Sequence, residues 1–266
     1  MPHPFFDVSN PVIIGHRGAA GTAPENTMVS FERALDVGAE VLESDIHATR
    51  DGVPVLLHDP NVDRTTNGTG MVSDLTLAEL RELDAAHHFS DDAGTTFPMR
   101  EQGVRVPTLE EVFEAFPGAR INLEIKANPP KLIGRVIELV DQFERHDTTL
   151  LTAGEDPMML ELRRERKLRG STFAVGASLQ DILASIKAAV EKLPAPEDVM
   201  ALQIPADFGG QPLATPKLIE FAKAAEIAVH IWTINEVDEM QRLLDLGVDG
   251  LVTDHPERMA RILGRA

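Results

Sequence analysis

The 266-residue chain has no cysteine and no tyrosine, a single tryptophan, and only 5% aromatic residues. The lack of cysteine excludes disulfides, thiolate metal sites and a cysteine nucleophile, and leaves the redox compartment undetermined. Basic residues are also scarce: 25 Lys and Arg stand against 43 Asp and Glu, a formal charge of −18. Nucleic acid and anionic membrane both select a positive field, so neither is expected as a partner. No segment approaches the ~18 consecutive apolar residues of a membrane-spanning helix. The first eleven residues, MPHPFFDVSNP, lack a basic segment followed by an apolar one. A soluble, cytoplasmic protein without stable membrane association is the expectation, with a homo-oligomer left open. Internal repeats and low-complexity tracts are absent as well.

What is present fits one large α/β domain, 43% hydrophobic and 26% charged. Nine strand-like blocks run VIIGHRG (12–18), VLESDI (41–46), PVLLHD (54–59), INLEIK (121–126), TLLTAG (149–154), TFAVGA (172–177), VMALQIP (199–205), VHIWTI (229–234) and DGLVTD (249–254). Amphipathic stretches such as SFERALDVG, LIGRVIELVDQF and VDEMQRLLDLG lie between them, several ending at glycine, the usual helix stop. Such alternation predicts a parallel sheet. Asp51-Gly52 predicts a two-residue hairpin that folds PVLLHD back antiparallel on VLESDI, pairing Arg50 with Val53 and Asp45 with His58. The eight strands that remain favour a closed (β/α)8 TIM barrel over an open doubly wound sheet. Residues 60–106 interrupt the pattern, being polar and turn-rich with one short helix, LTLAELREL. They are expected to form an inserted cap on a single catalytic domain spanning residues 1–266.

Functional groups of such a barrel gather at the C-terminal ends of the strands. Five blocks place polar or aromatic residues there: His16 with Arg17, Glu43 with Asp45, Glu124 with Lys126, then Trp232 and Asp254. The acids Glu43, Asp45 and Glu124 offer hard oxygen donors, which suit Mg²⁺ or Ca²⁺, with Mn²⁺ also open. The competing reading is ion pairing with Arg17 and Lys126. Three acids against two bases leave surplus negative charge, which favours the cation. His16 and His58 are the candidate proton-transfer pair, because imidazole titrates near working pH. Singly, a histidine is more often a satisfied core residue; two at one barrel mouth beside acids point to catalysis. His47 is expected at the rim, and His87, His88 and His255 in the inserted segment or on the surface. Arg17 and Lys126 suggest an anionic ligand, most simply phosphate. Trp232 either fills the barrel or walls a glycerol-like group. Pro24-Glu25-Asn26-Thr27 is expected chiefly to cap the first helix.

The motifs GHRG (15–18), PENT (24–27), LESD (42–45), TRDGVPVLLHD (49–59), RTTNGTG (64–70), VPTLEEV (106–112), LEIK (123–126), WTIN (232–235) and GVDGLVTD (247–254) follow one another along the chain. In this order they resemble the glycerophosphodiester phosphodiesterase family over essentially the whole chain. The resemblance implies a TIM barrel with a small inserted element, and metal-dependent hydrolysis of glycerophosphodiesters to glycerol 3-phosphate and an alcohol. It implies Glu43, Asp45 and Glu124 as metal ligands, and His16 and His58 as catalytic residues. It also implies Arg17 and Lys126 on the phosphate, Trp232 on the glycerol side, and a route through a cyclic phosphate. Ala153-Gly154-Glu155 and residues 173–198 depart from the family pattern, on what is expected to be the leaving-group side. A phospholipase D-type activity on lysophospholipid or sphingolipid would call for an apolar rim, whereas SDDAGTT in the inserted segment is polar and favours deacylated substrates. A non-catalytic phosphodiester-binding barrel should have lost a histidine or an acid, and this chain retains them all.

Overall fold

Strands and helices alternate along the chain as the patterning predicts. A computed structural model describes residues 3–127 and 131–265. β1 (Val12–Gly15) leads through α1 (Met28–Asp36) to β2 (Val41–Ala48), which turns back as β3 (Pro54–Leu56). A long segment carrying α2 (Leu77–Leu80) precedes α3 (Leu109–Ala115), β4 (Arg120–Ile125) and α4 (Leu132–Gln142). β5 (Thr149–Ala153), α5 (Asp156–Arg169), β6 (Ala174–Val175), α6 (Leu179–Glu191) and β7 (Ala201–Pro205) follow. A small hairpin, β8 (Asp207–Phe208) and β9 (Gln211–Pro212), leads into α7 (Pro216–Ala224). β10 (Ala228–Trp232), α8 (Val237–Leu246), β11 (Gly250–Thr253) and α9 (Pro256–Ile262) complete the chain.

Eight parallel strands lie side by side in the order β6-β5-β4-β2-β1-β11-β10-β7, with β3 paired antiparallel to β2. The Met200 N–H donates to the Val175 carbonyl at 3.2 Å across the remaining seam, so the sheet is a nearly closed (β/α)8 barrel. Helices pack on the barrel through apolar stripes. α4, for example, buries Ile133, Val136, Ile137 and Val140 at helical spacing. Thr108 with Glu111, and Ser178 with Asp181, form capping boxes that start α3 and α6. Among the described residues no helix is long and apolar enough to cross a membrane.

Three details differ from the sequence expectation. The hairpin is not a two-residue turn: Ile46 pairs with Leu56, and Thr49 N–H donates to the Val53 carbonyl at 3.1 Å. Asp51 accepts from Thr49 Oγ1 within the turn and from the Leu77 N–H across the fold, while the Arg50 N–H donates to the Leu75 carbonyl. These contacts outweigh the local turn preference and slip the register by one, so Leu57 rather than His58 bonds Asp45. Glu43 and Asp45 therefore lie inside β2, which runs past them to Ala48, rather than closing it. The helix expected at LTLAELREL is a single turn. The segment after β3 builds its own apolar cluster, with Val62, Val72, Leu80 and Val106 packed around Val55 and Leu57.

Candidate active site

The strand ends β1, β2, β4, β5, β7 and β10 open on one cavity of about 350 Å³. Eight of the residues singled out from sequence line it, His16, Arg17, Glu43, Asp45, His58, Glu124, Lys126 and Trp232, whereas Asp254 lies behind His16 and is not among those that line it. Asn122, Thr152 and Gln203 add a neutral polar wall. No residue from 60–106 is among those that line it.

His16 follows β1 directly, and its Nδ1–H donates to Asp254 Oδ1 at 2.6 Å. Asp254 is fixed in turn by Asn235 Nδ2 at 2.6 Å, while Asn235 Oδ1 accepts from the Asp254 N–H and Thr253 Oγ1. Burial pulls the His16 pKa down, but the Asp254 bond and the negative charge of Glu43 outweigh it, and the net shift is upward. The Asp254 carboxyl is held below its ordinary value: burial opposes this, and the hydrogen bond and charge of His16 prevail. His58 reaches the cavity from the loop after β3. Its Nδ1–H donates to Asp59 Oδ1 at 2.7 Å, leaving Nε2 for exchange, as at His16. Arg64 braces Asp59 from outside at 2.7 Å and lowers its pKa to about 2, against a burial cost and with help from His58.

Arg17 sits in a left-handed backbone conformation, φ 49°, inside the turn after β1. Gly18 beside it, φ 88°, has no room for a side chain, since a Cβ there would come within 2.4 Å of Ser30 Oγ. The turn aims the Arg17 N–H at Glu43 Oε2, 3.0 Å, and its guanidinium at Glu25, 2.9 Å, and Asp45, 3.4 Å. Glu25 also accepts two bonds from Arg64, at 2.6 and 2.7 Å. A chain of ion pairs thus links Arg17, Glu25, Arg64, Asp59 and His58.

Register places Asp45 beside Glu124, and Glu43 beside Asn122. Lys126 Nζ bridges the first pair, 3.2 Å from Asp45 and 2.7 Å from Glu124. Burial would lower its pKa, but the two carboxylates outweigh burial and raise it. Glu43 is pushed up to about 7, first by burial and then by the charge of Asp45. The three acids share the cavity, yet among the described residues no three His, Cys, Asp or Glu side chains converge as a metal ion requires. The ion pairing weighed against metal binding is therefore present.

Several residues escaped the sequence reading. Thr27 caps α1 as expected, but Asn26 donates to Asp45 at 3.2 Å and accepts from Ser44 at 2.6 Å. Glu25 bridges two arginines, so PENT builds the site as well as the helix start. Asp59, Arg64 and Asn235 lay within quoted motifs but had no partner in view. Asn122 Oδ1 is buried without a partner among the described residues. His47 is buried rather than at the rim: its Nε2–H donates to the His58 carbonyl at 3.0 Å and steadies that loop.

Fold and site together place two carboxylate-held histidines beside Arg17 and Lys126 at the open end of a (β/α)8 barrel. A family model for the glycerophosphoryl diester phosphodiesterase family matches residues 16–258. The chain is 32% identical over 260 residues to the glycerophosphodiester phosphodiesterase of Caldanaerobacter subterraneus, covering 95% of this chain and 97% of that protein. It is 31% identical to the lysophospholipase D GDPD1 of Homo sapiens, covering 94% and 85%. A solved phosphodiesterase of Oleispira antarctica in complex with the product sn-glycerol-3-phosphate superposes with a TM-score of 0.77 at 27% identity, covering 96% and 97%. The chain belongs to the glycerophosphoryl diester phosphodiesterase family and is a phosphoric diester hydrolase.

Proposed function

We propose that the chain hydrolyses glycerophosphodiesters to glycerol 3-phosphate and an alcohol, with His16 and His58 moving the protons. The observation that carries this reading is the pairing in one cavity of two imidazoles, each held at Nδ1 by its own carboxylate, beside Arg17 and Lys126. The names of its relatives and the product bound to the Oleispira antarctica protein support it.

The substrate phosphate lies against Arg17 and Lys126, which neutralise charge building on its non-bridging oxygens. Trp232 walls the glycerol. The 2-hydroxyl, tethered beside phosphorus, attacks intramolecularly and gains effective concentration. One imidazole takes its proton, the bond to the alcohol breaks, and the other imidazole protonates the departing alkoxide. Asp254 favours the protonated form of His16, which suits His16 to the acid role and leaves the base role to His58. Water then opens the resulting cyclic phosphate with the roles reversed. The acids Glu43, Asp45 and Glu124 fit a hard divalent cation by donor chemistry, and a cation there would offset the burial and the Asp45 charge that raise the Glu43 pKa. These residues would hold Mg²⁺, Ca²⁺ or Mn²⁺. Such a cation, when bound, neutralises a phosphate oxygen and acidifies a hydroxyl. In the same reading residues 60–106 form an inserted cap on a single catalytic domain and act on the site through Arg64.

A phosphodiester of 1,3-propanediol, which lacks the 2-hydroxyl, tests the route. It should bind through its phosphate and turn over poorly beside glycerophosphocholine. Equal turnover of the two would exclude the cyclic phosphate and make water the direct nucleophile.

A further inference from the structure

The outer surfaces of α5 and α6 carry large apolar side chains that the barrel does not use. α5 turns Met158, Met159 and Leu162 inward and leaves Leu160 and Leu168 in solvent. In α6, Ile182 and Ile186 pack against the core, whereas Leu179, Leu183 and Val190 are exposed, with exposed Leu193 just beyond the helix end. The six exposed residues on the two helices stand 45–71% in solvent, and they are six of the ten large apolar side chains left exposed among the described residues. The helices are neighbours: Arg163 reaches Asp181 at 2.6 Å, and Asp156 accepts from the Gln180 N–H at 3.0 Å. At about 100 Å² a side chain, the six present roughly 600 Å² of apolar surface. That is as large as the largest patch of an ordinary monomer, and it approaches the ~800 Å² that each partner gives to a standard protein–protein interface.

Charge singles out the same face. Residues 156–192 hold seven basic and five acidic residues, a net charge of +2, against −20 for the rest of the chain. Two copies of so acidic a protein repel each other over most of their surfaces, and least where these helices meet. The arginines here are largely held within the chain, Arg163 by Asp181, Arg164 by Glu165, and Arg169 by Glu138 and Glu165. Little positive charge is left over to hold an anionic bilayer. We infer that the α5–α6 face is the interface of a homodimer, closed by a twofold axis that sets α5 and α6 of one copy against those of the other. Leu179 also lines the catalytic cavity, so each partner flanks the mouth of the other's active site.

Sedimentation velocity of the full chain over a range of concentrations should show a species of twice the monomer mass. Added salt should leave it intact or tighten it, since screening relieves the repulsion of two acidic bodies. Leu160→Asp and Leu183→Asp, both at exposed helix positions outside the cavity, should each weaken dimerisation at least about a hundredfold, because a twofold axis presents every substitution twice. Circular dichroism should keep its native helix content in both variants. A second measurement locates the interface without burying a charge. The chain has no cysteine, so Leu168→Cys on α5 and Glu32→Cys on α1, across the barrel, can each carry a single polarity-sensitive dye. Its emission should shift to the blue with rising protein concentration at position 168 and stay constant at position 32. A chain that remains monomeric at every concentration would overturn the inference. So would a dimer that survives both aspartate substitutions, or one whose formation moves only the dye at position 32. A monomer that sediments with phosphatidylglycerol–phosphatidylcholine vesicles, and ceases to in Leu183→Asp, would assign the face to lipid and overturn the dimer as well.

Discussion

His16 and His58 are oriented in the same way by carboxylates of very different origin: Asp59 is the neighbouring residue, whereas Asp254 arrives from the far end of the chain. The bond to Asp254 raises the His16 pKa, so Asp254→Asn should lower it again. If His16 acts as the acid, the alkaline limb of the kcat/KM profile then moves to lower pH, and an unmoved limb would contradict that role. His16→Ala and His58→Ala should each reduce kcat by ~10²–10⁴-fold, the range for losing acid–base help, with thermal unfolding nearly unchanged. Arg64 touches neither histidine but holds both Asp59 and Glu25. Arg64→Ala should lower kcat about tenfold, and Arg64→Lys should restore only part of it, because an ammonium lacks the fork that serves two carboxylates. Full recovery in the lysine variant would show that charge alone matters.

At the scale of elements, exposed residues 91–94 sit on a segment with its own apolar cluster, away from the barrel core. Limited proteolysis within Asp91–Thr96 should therefore nick the chain and leave one cooperative unfolding transition; collapse of the fold on cleavage would mean that a barrel element lies there. The barrel itself was legible in the sequence, because apolar strand blocks and glycine-ended amphipathic helices alternate with the period each structure needs. That the eight proposed site residues would share one cavity was legible as well, since all lie in or just after strands. The hairpin register was not, because Asp51 and Arg50 answer to Leu77 and Leu75 rather than to their own turn. Neither was the arginine–carboxylate chain: Glu25 and Arg64 are 39 residues apart, and a motif does not reveal its partner.

For the whole molecule, buried Glu43 couples folding to pH. Its folded pKa of about 7 lies above the ordinary value of 4.5. The stability that protonated Glu43 contributes is therefore complete below about pH 4.5 and lost as pH rises through about 7. A cation at the acids favours the ionised form, so Mg²⁺, Ca²⁺ or Mn²⁺ should raise Tm more at about pH 8 than at about pH 5. Glu43→Gln should reduce that difference, and a cation effect independent of both pH and Glu43 would contradict the ligand assignment. The central claim is that this barrel cleaves glycerophosphodiesters through its histidine pair. Its most direct test is release of glycerol 3-phosphate from glycerophosphocholine, with each divalent cation and with chelator, by the native chain and by His16→Ala and His58→Ala. The account predicts stoichiometric glycerol 3-phosphate and choline from the native chain with cation, and loss of at least about a hundredfold in either variant. Undiminished release by the folded histidine variants, or none by the native chain with any cation, would contradict it.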